Sequence, residues 1–259
     1  MKLAVTGKGG VGKTTLTALL AKILRDMGRQ VVAIDADPNV TLAACMGYKD
    51  AGDIRPIVEM KDMIEERTGV KPGTIGGMFR LNPFVEDIPA KYSVEIAGIR
   101  VLVAGAIKNG GAGCYCPENA LLRALISHLL VEADVALVLD MEAGLEHLSR
   151  GTVRAVDALL VVTEPSMRGV ETAQRIRRLA GDIGLHKMYA VGNKIRSKED
   201  EDFLKKVLPE WEFAGCMPYD EGIRNADMAG KPVWDGAGNE TTQMVRRIAD
   251  FVAAKLSAA

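Results

Sequence analysis

The chain has 259 residues, of which 48% are hydrophobic and 26% charged, with 33 Lys and Arg against 34 Asp and Glu for a formal net charge of -1. These are globular proportions, so disorder, collagen-like repetition and low complexity are excluded for the chain as a whole, and the near-neutral balance removes any general attraction to nucleic acid or an anionic membrane. Aromatic residues at only 5% also argue against base-stacking platforms.

In chain order, the opening run MKLAVTGKGG is too short in its apolar part for a signal peptide. Leu3–Thr6 instead reads as a strand. Residues 14–27 follow a helical period through Leu16, Leu19, Leu20, Ile23, Leu24 and Met27, and Gly28 supplies a C-cap. Val31–Asp35 is the second strand. Residues 50–98 are interrupted by Gly69, Pro72, Gly73, Gly76, Gly77, Pro83 and Pro89, and read as an irregular insertion with one helix near 54–67. After the strand Ile99–Ala104, Pro117 opens a helix at its first turn, with Leu121, Leu122, Leu125, Ile126, Leu129 and Leu130 on its apolar face. Further strands are expected at Val135–Asp140, Ala158–Thr163, Met188–Asn193 and Phe213–Met217, and helices at 168–182 and 239–256. The strands are rich in Val, Leu and Ala with little polar alternation, as in a parallel sheet covered on both faces. The expected architecture is one α/β domain over residues 1–259, a doubly wound, mostly parallel sheet flanked by helices. No apolar run reaches the roughly 18 residues of a membrane span. Four cysteines without a secretory signal point to a reducing, cytoplasmic setting rather than a disulfide framework.

The stretch Gly7-Lys8-Gly9-Gly10-Val11-Gly12-Lys13-Thr14 fits G-x-x-x-x-G-K-[ST] and lies between a strand and a helix, the context a phosphate-binding loop needs. Glycines let backbone N–H groups turn toward phosphate oxygens, and the helix N-terminus adds partial positive charge. Gly9 through Thr15 form the expected nucleotide contacts, with Lys13 reaching the β- and γ-phosphates and the Thr14 hydroxyl binding Mg²⁺. The fold expected from this motif is that of the P-loop NTPases.

Lys8 is a second lysine that an ordinary phosphate loop does not require. The run GKGGVGKTT resembles the deviant Walker A motif of the superfamily that includes the nitrogenase iron protein, MinD, ParA and ArsA ATPases. That resemblance implies ATPase activity and a homodimer with ATP between subunits, Lys8 crossing to the partner's phosphates. It implies switch I at Asp37, orienting the attacking water or the Mg²⁺ shell, and a Walker B carboxylate at Asp140. Met141–Gly144 would be switch II. Lys8, Lys13, Asp37 and Asp140 are thus the candidate catalytic residues. The resemblance further implies adenine recognition by Asn193, followed by Lys194, and a base-pocket loop at Pro218, Tyr219 and Asp220.

Cys114 and Cys116 lie in the glycine-rich run GGAGCYCPEN, just before a helix N-terminus, where thiolates are favoured and bind metal readily. One C-x-C pair supplies two ligands, whereas structural Zn²⁺ and square-planar Ni²⁺ each take four. Two subunits meeting on a two-fold axis would supply four thiolates, for one ion or one [4Fe–4S] cluster. The run resembles the corresponding segment of the CooC- and AcsF-type ATPases, which implies nickel (with zinc able to take its place) and a client nickel enzyme, carbon monoxide dehydrogenase or acetyl-CoA synthase. ATP and metal would both promote the dimer. An iron–sulfur redox or scaffold ATPase is one alternative, although switch II, MEAGLEHLSRG, has no cysteine. A MinD- or ParA-like positioning ATPase is the other, although the C-terminal RRIADFVAAKLSAA is only weakly basic. Neither nucleic acid nor membrane is an expected partner. Cys45 and Cys216 read as packing residues.

Overall fold

The computed structural model describes residues 1–37, 39–74, 78–105, 116–132, 134–142 and 155–257. In chain order the elements are β1 (Lys2–Gly7), α1 (Lys13–Asp26), β2 (Gln30–Ala36), α2 (Leu42–Cys45), α3 (Lys61–Thr68), α4 (Ile88–Tyr92), β3 (Val94–Ile96), β4 (Ile99–Val103), α5 (Cys116–Val131), β5 (Val135–Met141), β6 (Ala158–Thr163), α6 (Met167–Asp182), β7 (Met188–Ile195), α7 (Lys198–Val207), β8 (Phe213–Pro218), α8 (Glu221–Met228), α9 (Val233–Gly236) and α10 (Asn239–Ser257).

The strands form one eight-stranded sheet in the order β3-β4-β2-β5-β1-β6-β7-β8. Every pairing is parallel except β3 with β4. Successive side chains of a strand point to opposite faces, and here both faces are apolar. Ala4, Leu137 and Leu139 enter one core with Ile64 of α3, Leu125 of α5 and Ile176 of α6. Leu3, Val5, Ala136 and Val138 enter the other with Leu16 and Leu20 of α1 and Ile248 of α10. That double burial is why the strands read as continuous apolar runs.

All the expected strands are present, and β3 is added. It is a short antiparallel edge strand too brief for a periodic signal. The helix expected near 54–67 is shorter than the sequence suggested: Ala51–Asp53 and Ile57–Glu59 are 3₁₀ turns, and only Lys61–Thr68 is α-helical. Pro56 explains the break, because it lacks an N–H and sits extended at φ -60°, ψ 144°. The 50–98 region also supplies core, since Ile57, Ile64 and Ile88 are fully buried. Among the described residues no helix is long and apolar enough to cross a membrane.

The topology places the site. β1 lies between β5 and β6, with β2 and β4 beyond β5 and β7 and β8 beyond β6. The loops leaving the carboxyl ends of β1 and β5 therefore open at the point where the strand order reverses, where doubly wound sheets bind ligands.

Candidate nucleotide-binding site

The phosphate loop departs from β1 at Gly7, whose φ is 152°, and a Cβ there would stand 2.3 Å from the Val162 carbonyl oxygen of β6. Only glycine permits that exit against a neighbouring strand. Val11 is completely buried and anchors the loop. Gly12, in the left-handed region at φ 99°, precedes α1 and offers no side-chain cap, and the first turn of α1 holds no acidic residue. The leading N–H groups of α1 thus meet no carboxylate from their own first turn, which suits them to a phosphate anion.

The sequence-predicted catalytic side chains gather beside this loop. Lys13 Nζ lies 3.6 Å from Asp37 Oδ2, with both side chains largely buried. The Thr14 hydroxyl donates to Asp140 Oδ2 at 2.7 Å. Asp140 pairs in register with Val5 of β1 on one side and with Asp35 of β2 on the other. Burial pushes the Asp140 carboxyl up to about 7; the Thr14 hydrogen bond opposes that rise and nearby Asp35 adds to it. Asp35, which the sequence reading left without a role, is raised by burial to about 6, against hydrogen bonds from the Leu42, Asp37 and Thr41 backbone. Its carboxylate organises the turn after β2, accepting the N–H groups of Thr41 and Leu42 at 2.9 Å each.

Among the described residues Asp140 Oδ1 is buried with no hydrogen-bond partner. A carboxylate with one oxygen on the Thr14 hydroxyl and the other without a partner is the hard-oxygen donor set that Mg²⁺ uses when nucleotide phosphates and water complete its shell, so the residues present fit that ion. Among the described residues no group of three or more His, Cys, Asp or Glu side chains could hold a metal by itself.

A cavity of about 530 Å³ opens beside this loop. Its lining combines Gly10, Gly12, Thr14 and Thr15 of the loop and the start of α1 with Asn193, Lys194, Pro218, Tyr219 and Asp220. The expected phosphate and base residues thus share one cleft. Asn193, however, is engaged within the protein: its Nδ2 donates to the Val11 carbonyl at 2.7 Å, and its Oδ1 accepts the Lys194 N–H at 2.8 Å. Lys194 holds a left-handed backbone at φ 59°, and its Nζ donates to the Gly10 carbonyl at 2.7 Å. Asp220 caps α8 through Gly222 N–H at 2.9 Å and ties down α10 through Gly238 N–H at 2.8 Å and the Thr241 hydroxyl at 2.6 Å. Arg196 lies over the Tyr219 ring, its guanidinium carbon 3.8 Å from the centroid.

The sequence reading missed two contributors to the site. Cys45, expected only to pack, is in the cavity wall, and burial pushes its thiol up to about 12, so it is neutral. The Ala-rich stretch around it carries no signal of that position. Glu164 contacts both Lys8 and Lys194. Its place just past the β6 strand, at the ligand-binding edge, was a usable signal. Cys114 and switch II from Ala143 onward lie outside the described residues, and Cys116 is the first residue of α5.

A doubly wound sheet carrying this phosphate loop, with an acidic strand end beside it, defines a P-loop ATPase. More particularly, residues 2–233 match the CobQ/CobB/MinD/ParA nucleotide binding domain, and the chain belongs to that family. It is 43% identical to the carbon monoxide dehydrogenase accessory protein CooC of Rhodospirillum rubrum over 237 residues, 91% of this chain and 90% of that protein. It is equally similar, at 43% over 90% of this chain and 91% of the relative, to an uncharacterized ATP-binding protein of Methanocaldococcus jannaschii. Among solved structures, MinD of Aquifex aeolicus in complex with MinC superposes with a TM-score of 0.71 at 18% identity, covering 98% of this chain and 96% of that one. MinD of Pyrococcus horikoshii with Mg-ADP gives 0.64 at 20% identity, covering 97% and 95%. At these identities the structural likeness shows the fold.

Proposed function

We propose that this chain is an ATP-dependent metallochaperone that assists nickel insertion into carbon monoxide dehydrogenase. The observation that carries the reading is the 43% identity to a carbon monoxide dehydrogenase accessory protein across nearly the full length of both chains. The buried acidic edge beside the phosphate loop supports it.

In this reading the polyphosphate of ATP lies on the backbone of Gly9–Thr15, with Lys13 leaving Asp37 for the β- and γ-phosphates. Thr14 and Asp140 hold Mg²⁺, which neutralises charge on the phosphates when bound. Asp37, released from Lys13, orients the attacking water. Two subunits face each other across the nucleotides, and Lys8 of each reaches the other's phosphates. Catalysis is positioning and charge stabilisation by these groups. Asn193, Lys194, Pro218, Tyr219 and Asp220 form the adenine end of the cleft.

Nickel is the cargo. Cys114 and Cys116 from both subunits supply the thiolates that hold it, and zinc can occupy the same place. ATP drives transfer only if the metal binds the two nucleotide states with different affinity.

The test is anaerobic incubation of wild type and Cys114→Ala/Cys116→Ala with nickel, followed by gel filtration and analysis for metal and acid-labile sulfide. The expected result is about one nickel per dimer, no sulfide, and loss in the double variant. Iron with sulfide would replace this reading with a cluster-carrying ATPase. Equal metal in both proteins would remove the cysteine pair from the function.

A further inference from the structure

Lys8 stands in the phosphate loop, yet its ammonium is bound to a carboxylate. Its Nζ donates to Glu164 Oε1 at 2.8 Å, with the two side chains 35% and 20% exposed. The other carboxylate oxygen of Glu164 lies 3.4 Å from Lys194 Nζ, which also donates to the Gly10 carbonyl at 2.7 Å. The Ser166 hydroxyl is 3.4 Å from Glu164 Oε1 and accepts the Gly169 N–H as the cap of α6. One carboxylate therefore joins both lysines of the loop mouth to the start of a helix.

Two features separate this contact from a purely structural ion pair. A negative group beside a polyphosphate site opposes ligand charge unless cations cover it, and Glu164 is covered by two, Lys8 and Lys194. When Lys8 leaves, Lys194 remains to neutralise the carboxylate, so departure strands no buried charge. The pair is also partly exposed, which makes it weak enough to exchange for phosphate oxygens. The hydrogen bond from Lys8 is the largest influence on Glu164 and holds its carboxyl below the ordinary range.

We infer that Glu164 is the positioning residue for Lys8, retaining it within its own subunit and releasing it to the partner's phosphates when two ATP-loaded subunits meet. This rests on the ATP-bridged dimer proposed above. Each dimer must break two such contacts, so Glu164 sets the threshold for pairing. Through Ser166, loss of Lys8 is also felt at the N-terminus of α6.

The experiment is sedimentation velocity of the full chain with a non-hydrolysable ATP analogue, for wild type, Glu164→Gln, Glu164→Ala, Lys8→Ala and Lys8→Ala combined with Glu164→Gln. Removing the carboxylate should tighten the dimer Kd about tenfold, from two exposed pairs each worth a severalfold factor. Lys8→Ala should abolish the nucleotide-dependent dimer, and Glu164→Gln should not restore it. Lys8→Ala pairing like wild type would overturn the ATP-bridged dimer and this inference with it. Loss of pairing in Lys8→Ala with unchanged or weaker pairing in both Glu164 variants would overturn this inference alone. Restoration of pairing in the double variant would also overturn it, because Glu164 would then act independently of Lys8.

Discussion

Beside the phosphate loop, Asp35 and Asp140 are completely buried, both are pushed upward by desolvation, and one Asp140 oxygen has no partner among the described residues. At the cavity wall formed by β7 and β8, both oxygens of Asp220 are engaged and both polar atoms of the Asn193 amide are bonded within the protein. Burial pushes Asp220 upward as well, but the hydrogen bonds from Thr241, Gly238 and Gly222 together hold it below the ordinary carboxylate range. The difference teaches where binding energy is stored. The first region is buried, acidic and incomplete, so ligand ions improve it. The other is already satisfied, so it contributes shape.

The largest expected effect comes from breaking the incomplete region. Asp140→Asn should lower ATP hydrolysis by about 10²–10³-fold, the scale for losing a group that stabilises transition-state charge. It should also stabilise the nucleotide-free protein. The folded Asp140 carboxyl sits near 7 against an ordinary 3.8, so its contribution to stability is complete at low pH and is lost as pH rises through that interval. Thermal melts should therefore show wild type and variant close together below about pH 4, and the variant more stable by roughly 2–4 kcal/mol above about pH 7. A variant less stable than wild type at pH 8 would mean that the buried carboxylate is compensated after all.

The next effect tests whether the satisfied wall reads the base or shapes the loop. Asn193→Ala leaves the buried Val11 carbonyl without its donor and should cost about 1–3 kcal/mol in denaturant unfolding. Because that bond ties β7 to the phosphate loop, ATP and GTP binding should weaken together in calorimetric titrations. A loss confined to ATP would instead assign the amide to adenine.

The smallest effect belongs to Asp220. Asp220→Ala removes the cap of α8 and the tie to α10, and should lower stability by about 1–2 kcal/mol. ATP hydrolysis per folded molecule should fall less than twofold on the expectation that this carboxylate supports the wall and touches no phosphate. A tenfold fall in hydrolysis with unchanged melting would move Asp220 into the chemistry.

The phosphate loop was legible because its chemistry is local. Glycines with positive φ, a lysine, a hydroxyl and a following helix must be consecutive in the chain to make a phosphate cradle, and so they are visible as a string. Asp140 was legible for a related reason, since a carboxylate closing an apolar strand marks the ligand edge of a parallel sheet. The helix expected near 54–67 was only partly legible, because apolar spacing does not register the break that Pro56 imposes. Glu164 escaped attention, and Cys45 was read only as a packing residue, because the further role of each depends on what lies opposite it.

By itself, the amino-acid sequence determined the alternation of strands and helices and the class of ligand, since burial on two faces and phosphate binding each impose a short-range pattern. Only the tertiary structure decided which distant groups meet. Lys8 and Glu164 are 156 residues apart and Asn193 and Val11 are 182 apart, and both pairs are brought together by the order β5-β1-β6-β7 in the sheet. Strand order is a property of how two cores are filled at once, and no local run of residues encodes it.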